Sequence, residues 1–256
     1  MDSRKLGAIL MAGLAVLLFA AAASIPRIPQ PASYHNFADH RAWLGIANFG
    51  DVASNAGFLI VGIWGLCRML RRPNRICFLD AREKWPYLII FLGLVLTAAG
   101  SSYYHLAPDN ARLVWDRLPM TIVFMSLVAT LVAERISVTA GLTLLPFLLA
   151  VGVGSVFEWR STEARGGGDL RFYAAVQSYA ILAVVLALVL KPRYTRGRDL
   201  AVVAGFYLLA KFAETFDSQI FSLGHLLGGH TIKHILAAVG SYWILRMLEL
   251  REPISD

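Results

Sequence analysis

Charge is scarce in this chain. Of its 256 residues only 16% are Asp, Glu, Lys or Arg, against about 25% in ordinary soluble domains. That is too little to coat a water-facing surface, so a soluble globular fold is not expected. Acidic groups are thin at the front, with no glutamate before Glu83. Cysteine is nearly missing: Cys67 and Cys77 give neither a disulfide framework nor a zinc-finger spacing, and they read as inert. Also absent is the short apolar–polar alternation of strands, which excludes a transmembrane barrel. What is present is hydrophobic residue, 57% of the chain, with a mean hydropathy of +0.59. It comes in long unbroken runs, so the expected class is all-α, a polytopic membrane helical bundle.

A spanning helix needs about 20 apolar residues. Eight runs qualify as expectations: 7–25, 52–68, 86–105, 117–134, 138–157, 171–190, 199–216 and 230–248. The division that follows is an N-terminal anchor over 1–28, an outer loop over 29–51, and a seven-helix domain over 52–250. Arg4 and Lys5 followed by an apolar run ending in Ala-Ala-Ala-Ala-Ser also fit a signal peptide. The run is longer than a usual signal core, so a retained anchor is expected.

The +7 net charge could suggest nucleic acid, but its placement points to membrane topology instead. With a cytoplasmic N-terminus, one side collects Arg4, Lys5, Arg68, Arg71, Arg72, Arg75, Arg82, Lys84, Arg135, Lys191, Arg193, Arg196, Arg198, Arg246 and Arg251. The other side holds only Arg27, Arg41, Arg112, Arg160, Arg165 and Arg171. Lys and Arg accumulate in cytoplasmic loops. Both termini are therefore expected in the cytoplasm, with no nucleic-acid partner and no protein partner implied.

On that topology all six histidines fall in the outer half or the outer loops. His105 ends the third run in Ser101-Ser-Tyr-Tyr-His105, and Asp116 stands in the first turn of the fourth. His230 and His234 open the eighth in His-Thr-Ile-Lys-His, one helical turn apart on one face. Three neutral imidazoles converging at one depth suit a catalytic zinc ion. His-x-x-x-His by itself also occurs by chance, as wetted residues at a membrane interface. Ser101 lies one turn before His105; it either bonds back to its own helix or faces a metal. Asp116 is either a partner for Arg117 or a dipole-favoured helix-start carboxylate, or it is a general base.

Four segments carry a resemblance: Asp51-Val-Ala-Ser54-Asn55, Ser101-Ser-Tyr-Tyr-His105, Trp115-Asp116-Arg117-Leu-Pro119-Met120 and His230-Thr-Ile-Lys-His234-Ile-Leu-Ala-Ala. Together they resemble the alkaline ceramidase family, in a bacterial-type form. That family belongs to a superfamily of seven-helix membrane hydrolases that includes the adiponectin-type receptors. The likeness runs over about residues 34–248. It implies a zinc-dependent amidase cleaving the N-acyl bond of ceramide-like lipids, in a bacterial inner membrane, with the active site toward the non-cytoplasmic face. His105, His230 and His234 would hold Zn2+, Ser101 would face it, and Asp116 would activate water. The lipid would enter from the bilayer. The family's calcium site maps onto Asp39, Asn48 and Asp51, though without its dense acidic pattern, and a capped outer loop with Asp51 capping the second run is the other reading. Ser54, Asn55 and His225 are candidates to support the ligands, with His225 also readable as a surface residue.

Other features allow rival readings. Lys211, Glu214 and Asp217 form either an ion path through the bundle or a self-neutralising intrahelical set; the second is expected, because no other charged helix offers a partner. A zinc-containing receptor without turnover is a further alternative. A transporter predicts repeated halves, which are not visible, and a haem cannot take both ligands from one helix face. Gly166-Gly-Gly168 reads as a flexible connector, and Trp43, Trp85, Trp115 and Trp159 as interface anchors. The orientation can be checked directly: a reporter active only outside the cytoplasm, fused after residue 256, should be silent, and an active fusion inverts the topology.

Overall fold

The computed structural model describes residues 3–71 and 76–254, so Arg72 and Arg75 of the expected basic loop lie outside the described residues. Ten α-helices occur among the described residues, and no strand. They are α1 (Ser3–Ser24), α2 (Phe49–Ser54), α3 (Ala56–Arg71), α4 (Lys84–Leu106), α5 (Asn110–Arg135), α6 (Val138–Ala164), α7 (Arg171–Val189), α8 (Asp199–Thr215), α9 (Asp217–Ser222) and α10 (Gly229–Leu250). Six stretches are long and apolar enough to cross a membrane: α1, the α2–α3 rod, α4 with the turn before it, α5, α6 and α7. The seventh and eighth expected spans do form helices but fall short of that measure. α8 has 17 residues, and α10 carries His230, Lys233 and His234 in its first two turns with Arg246 and Glu249 behind.

Helix ends follow local chemistry. Asp109 caps α5, its side chain accepting from Arg112 N at 2.7 Å, and Ser137 caps α6. The α5 start therefore lies seven residues before the expected 117, and Asp116 is in its second turn rather than its first. α6 runs on to Ala164, which takes Trp159 off the interface. Its ring is fully buried, a correction to its assignment as an anchor, whereas Trp43, Trp85 and Trp115 are exposed. Asn48, not Asp51, occupies the cap position of α2.

α5 is central, packed on α4, α6 and α7, while α10 lies on α8 and α3. α1 lies along α7, with Met11 buried beside Val176 and Tyr179. α4 and α5 approach tightly at Gly100 of α4. A Cβ there would come within 2.0 Å of the Trp115 carbonyl oxygen on α5. That carbonyl is free because Pro119, four residues on, has no N–H to donate to it. Glycine and proline together thus let two helices meet backbone to backbone, and the residues that follow each contact are Ser101 and Asp116.

At the opposite end, polar groups lock the helix termini. Arg251 pairs with Glu134 and stacks on Tyr194, Tyr87 donates to Glu134, and Arg193 and Tyr194 bond to Glu83. Gly100→Ala should destabilise the protein by about 1–3 kcal/mol, the usual cost of overpacking, because a backbone carbonyl cannot step aside. A thermal melt of the purified variant checks this, and an unchanged midpoint removes the crossing from the argument.

Candidate metal centre

His105 closes the last turn of α4, while His230 and His234 open α10. The helices are placed so that one ring nitrogen from each of these three residues lies within 4.8 Å of the others. Ring centroids are 4.8, 5.0 and 4.9 Å apart, and all three side chains are buried. Among the described residues this is the only such group of three or more. The three positions read from sequence therefore come together.

Each imidazole is held differently. His234 Nδ1 donates to Ser54 Oγ (2.9 Å) and faces the Asp51 carbonyl (3.2 Å), which leaves Nε2 as the acceptor. His230 Nε2 accepts from Lys233 Nζ at 3.0 Å, and its backbone N–H donates to Asp217. His105 has no hydrogen-bond partner at either ring nitrogen, yet it is fully buried. Leaving a buried polar group unpaired costs about 1–3 kcal/mol, so the unpartnered His105 ring fits an ion that takes imidazole lone pairs, an ion that at His230 would take the place of the Lys233 ammonium.

Asp51 belongs to this cluster. Its Oδ1 accepts from Thr231 Oγ1 (2.7 Å), and its Oδ2, otherwise unpartnered, lies 4.0 Å from His105 Nδ1. Asn55 donates to the Asp51 carbonyl, and Asn48 donates to the His105 carbonyl (2.8 Å). Asp39 is engaged elsewhere: Arg41 bonds both its carboxylate oxygens, and Asp39 and Arg41 form an ion pair at 2.7 Å. That guanidinium holds the Asp39 carboxyl below its usual range. The three residues expected as calcium ligands are thus all bonded to protein groups: Asp39 to Arg41, one Asp51 oxygen to Thr231, and the Asn48 amide to the His105 carbonyl. His225 stands on an exposed turn against Phe221, 4.9 Å between centroids, away from the three histidines.

Ser101 and Asp116 are buried and line one cavity with His234. Arg117 does not take the Asp116 carboxylate as its main partner; it bonds Gln30 and stacks on Trp159 and Tyr173, 4.2 and 4.7 Å from the ring centroids. Asp109, not Asp116, is the cap of α5. The cavity, about 170 Å³, continues past Met120, Val123 and Leu127 on α5. From Asp116 to Leu127 is about 16 Å of helix.

Two neighbours escaped the sequence reading. Glu214 pairs with Lys211 as expected, but it also takes Lys233 of α10 at 2.9 Å, so a second charged helix does supply a partner. Phe37, from the segment before α2, lays its ring 4.7 Å from His105 and 4.4 Å from His230. The signal for Lys233 was its place inside His-Thr-Ile-Lys-His; Phe37 carried none.

Neither a family profile nor a curated protein matches this chain. If the histidines hold a metal, purified protein should contain about one ion per chain, lost in His105→Ala and in His230→Ala. Elemental analysis decides it, and full metal content in both variants refutes the ligand set.

Proposed function

We propose that this protein is a zinc-dependent amidase of the membrane, hydrolysing the N-acyl bond of ceramide-like lipids to a fatty acid and a long-chain amine. The observation that carries the reading is the junction of two environments: a buried three-histidine cluster beside Ser101 and Asp116, opening on a long apolar cavity. One is suited to hydrolysis, the other to an alkyl chain.

His105, His230 and His234 would hold the ion, with Ser54 and Asp51 orienting the rings. Zinc supplies Lewis acidity toward an amide carbonyl and toward water. Asp116 takes a proton from the attacking water and returns it to the departing amine nitrogen. Ser101, beside that carboxylate, holds its orientation and offers a hydroxyl to the reacting carbonyl. The apolar wall of Met120, Val123 and Leu127 takes a hydrocarbon tail. The excess of Lys and Arg at the other end of the bundle supports an active site on the non-cytoplasmic side, with substrate arriving from the bilayer.

Free fatty acid released from N-acyl lipids by purified protein, with and without a chelator, tests the reading. Asp116→Asn should keep its metal and lose about 10²–10⁴ in rate. Undiminished turnover in that variant, or metal-replete wild type that cleaves no N-acyl lipid, sinks the proposal.

A further inference from the structure

The end of the bundle away from the histidines holds a second pocket, of about 630 Å³. Arg135, the last residue of α5, is buried at its base, 6% exposed. Its Nε has no hydrogen-bond partner. Gly197 presses against the guanidinium: a Cβ there would stand 3.1 Å from Nη2. Arg196 and Arg198 stand exposed at the rim, on the turn that leads into α8.

The nearby carboxylates are already committed. Asp199 pairs with Arg196, Glu134 with Arg251 and Tyr87, and Glu83 with Arg193 and Tyr194. Among the described residues, no carboxylate bonds to Arg135 or Arg198. A buried guanidinium nitrogen without an acceptor is costly, and with Asp199 taken by Arg196 the rim leaves Arg198 as further positive charge. Guanidinium forks match oxyanions bidentately. With Arg196 already paired to Asp199, Arg135 and Arg198 together still offer more N–H donors than one carboxylate accepts, which favours an anion with three or more acceptor oxygens. Part of the lining is apolar, from Leu188 at the end of α7 and from Leu190 and Pro192 just after it.

We propose that this pocket binds a phosphate group, with Arg135 at its floor and Arg196 and Arg198 at its mouth. The apolar wall beside the basic mouth matches the boundary between a phospholipid headgroup and its acyl chains, at the depth where basic interhelical pockets meet anionic lipid. This assignment is independent of the histidine centre and of any reaction there.

The test uses the full chain in neutral detergent, titrated with phosphatidylglycerol or with diacylglycerol of the same acyl chains, and read as bound lipid by native mass spectrometry. Inorganic phosphate serves as competitor. The expected result is saturable retention of phosphatidylglycerol over diacylglycerol, at least tenfold weaker in Arg135→Gln and in Arg198→Gln, and unchanged in Arg165→Gln at the other end. Displacement by millimolar phosphate would identify free phosphate as a sufficient ligand; resistance to it would identify the lipid headgroup. Should Arg135→Gln fail to fold, the exposed Arg198→Gln carries the comparison. Equal retention of the two lipids with no effect of phosphate, or unaltered binding in folded Arg198→Gln and Arg135→Gln, overturns the proposal.

Discussion

A buried imidazole must have something to bond to, and within an apolar bundle very little is on offer. The three-histidine end of this protein is organised around that constraint. Ser54 and the Asp51 carbonyl serve His234, Lys233 serves His230, and Asp51 itself is steadied by Thr231 while its second oxygen faces His105. His105 alone has no protein partner at its ring nitrogens. Polar residues that would each be a liability singly become a consistent set, because every one is within reach of the next. The helices then have to be placed for the set to exist: α4, α10 and the α2–α3 rod must end or begin at the same depth.

The second requirement is proximity, and it is met by backbone rather than by side chains. Gly100 and the carbonyl released by Pro119 allow α4 and α5 to touch where most helix pairs stay about 8–10 Å apart between axes. Ser101 and Asp116 follow directly from that contact. Far from the site, the Glu134–Arg251 and Glu83–Arg193 pairs fix the other ends of the same helices. The two polar ends hold the register, and the apolar clusters between them supply bulk packing.

Much of this was readable from residue order. Long apolar runs gave eight helical stretches, and charge asymmetry together with histidine placement brought His105, His230 and His234 to one depth. Spacing along a helix shows which residues share a face, and the turn between His230 and His234 is of that kind. What crosses between helices is harder. Lys233 meeting Glu214 depends on how α10 rotates against α8, which no local pattern records. Trp159 looked like an interface anchor because the apolar run weakens near 157, yet the helix continues through its polar last turns to Ala164. Asp51 and Asp39 are both acidic residues near one loop, but Arg41 binds one while burial beside His105 claims the other. Composition could not separate them.

Phe37 has a kinetic meaning. Its ring covers His105 and His230 from the segment preceding α2, and that segment is tied down by Asp217 accepting from the Ala38 N–H and by Arg41 reaching the carbonyls of His225 and Leu226. The other approach to the histidines is the apolar cavity, a poor route for a hydrated ion. For an ion seated there, exchange with bulk water would be coupled to opening of the clasp around Phe37. The cover over this centre is thereby held by Arg41 and by Asp217, which also takes the His230 backbone N–H, so the contacts that close the site are separate from the imidazoles that line it.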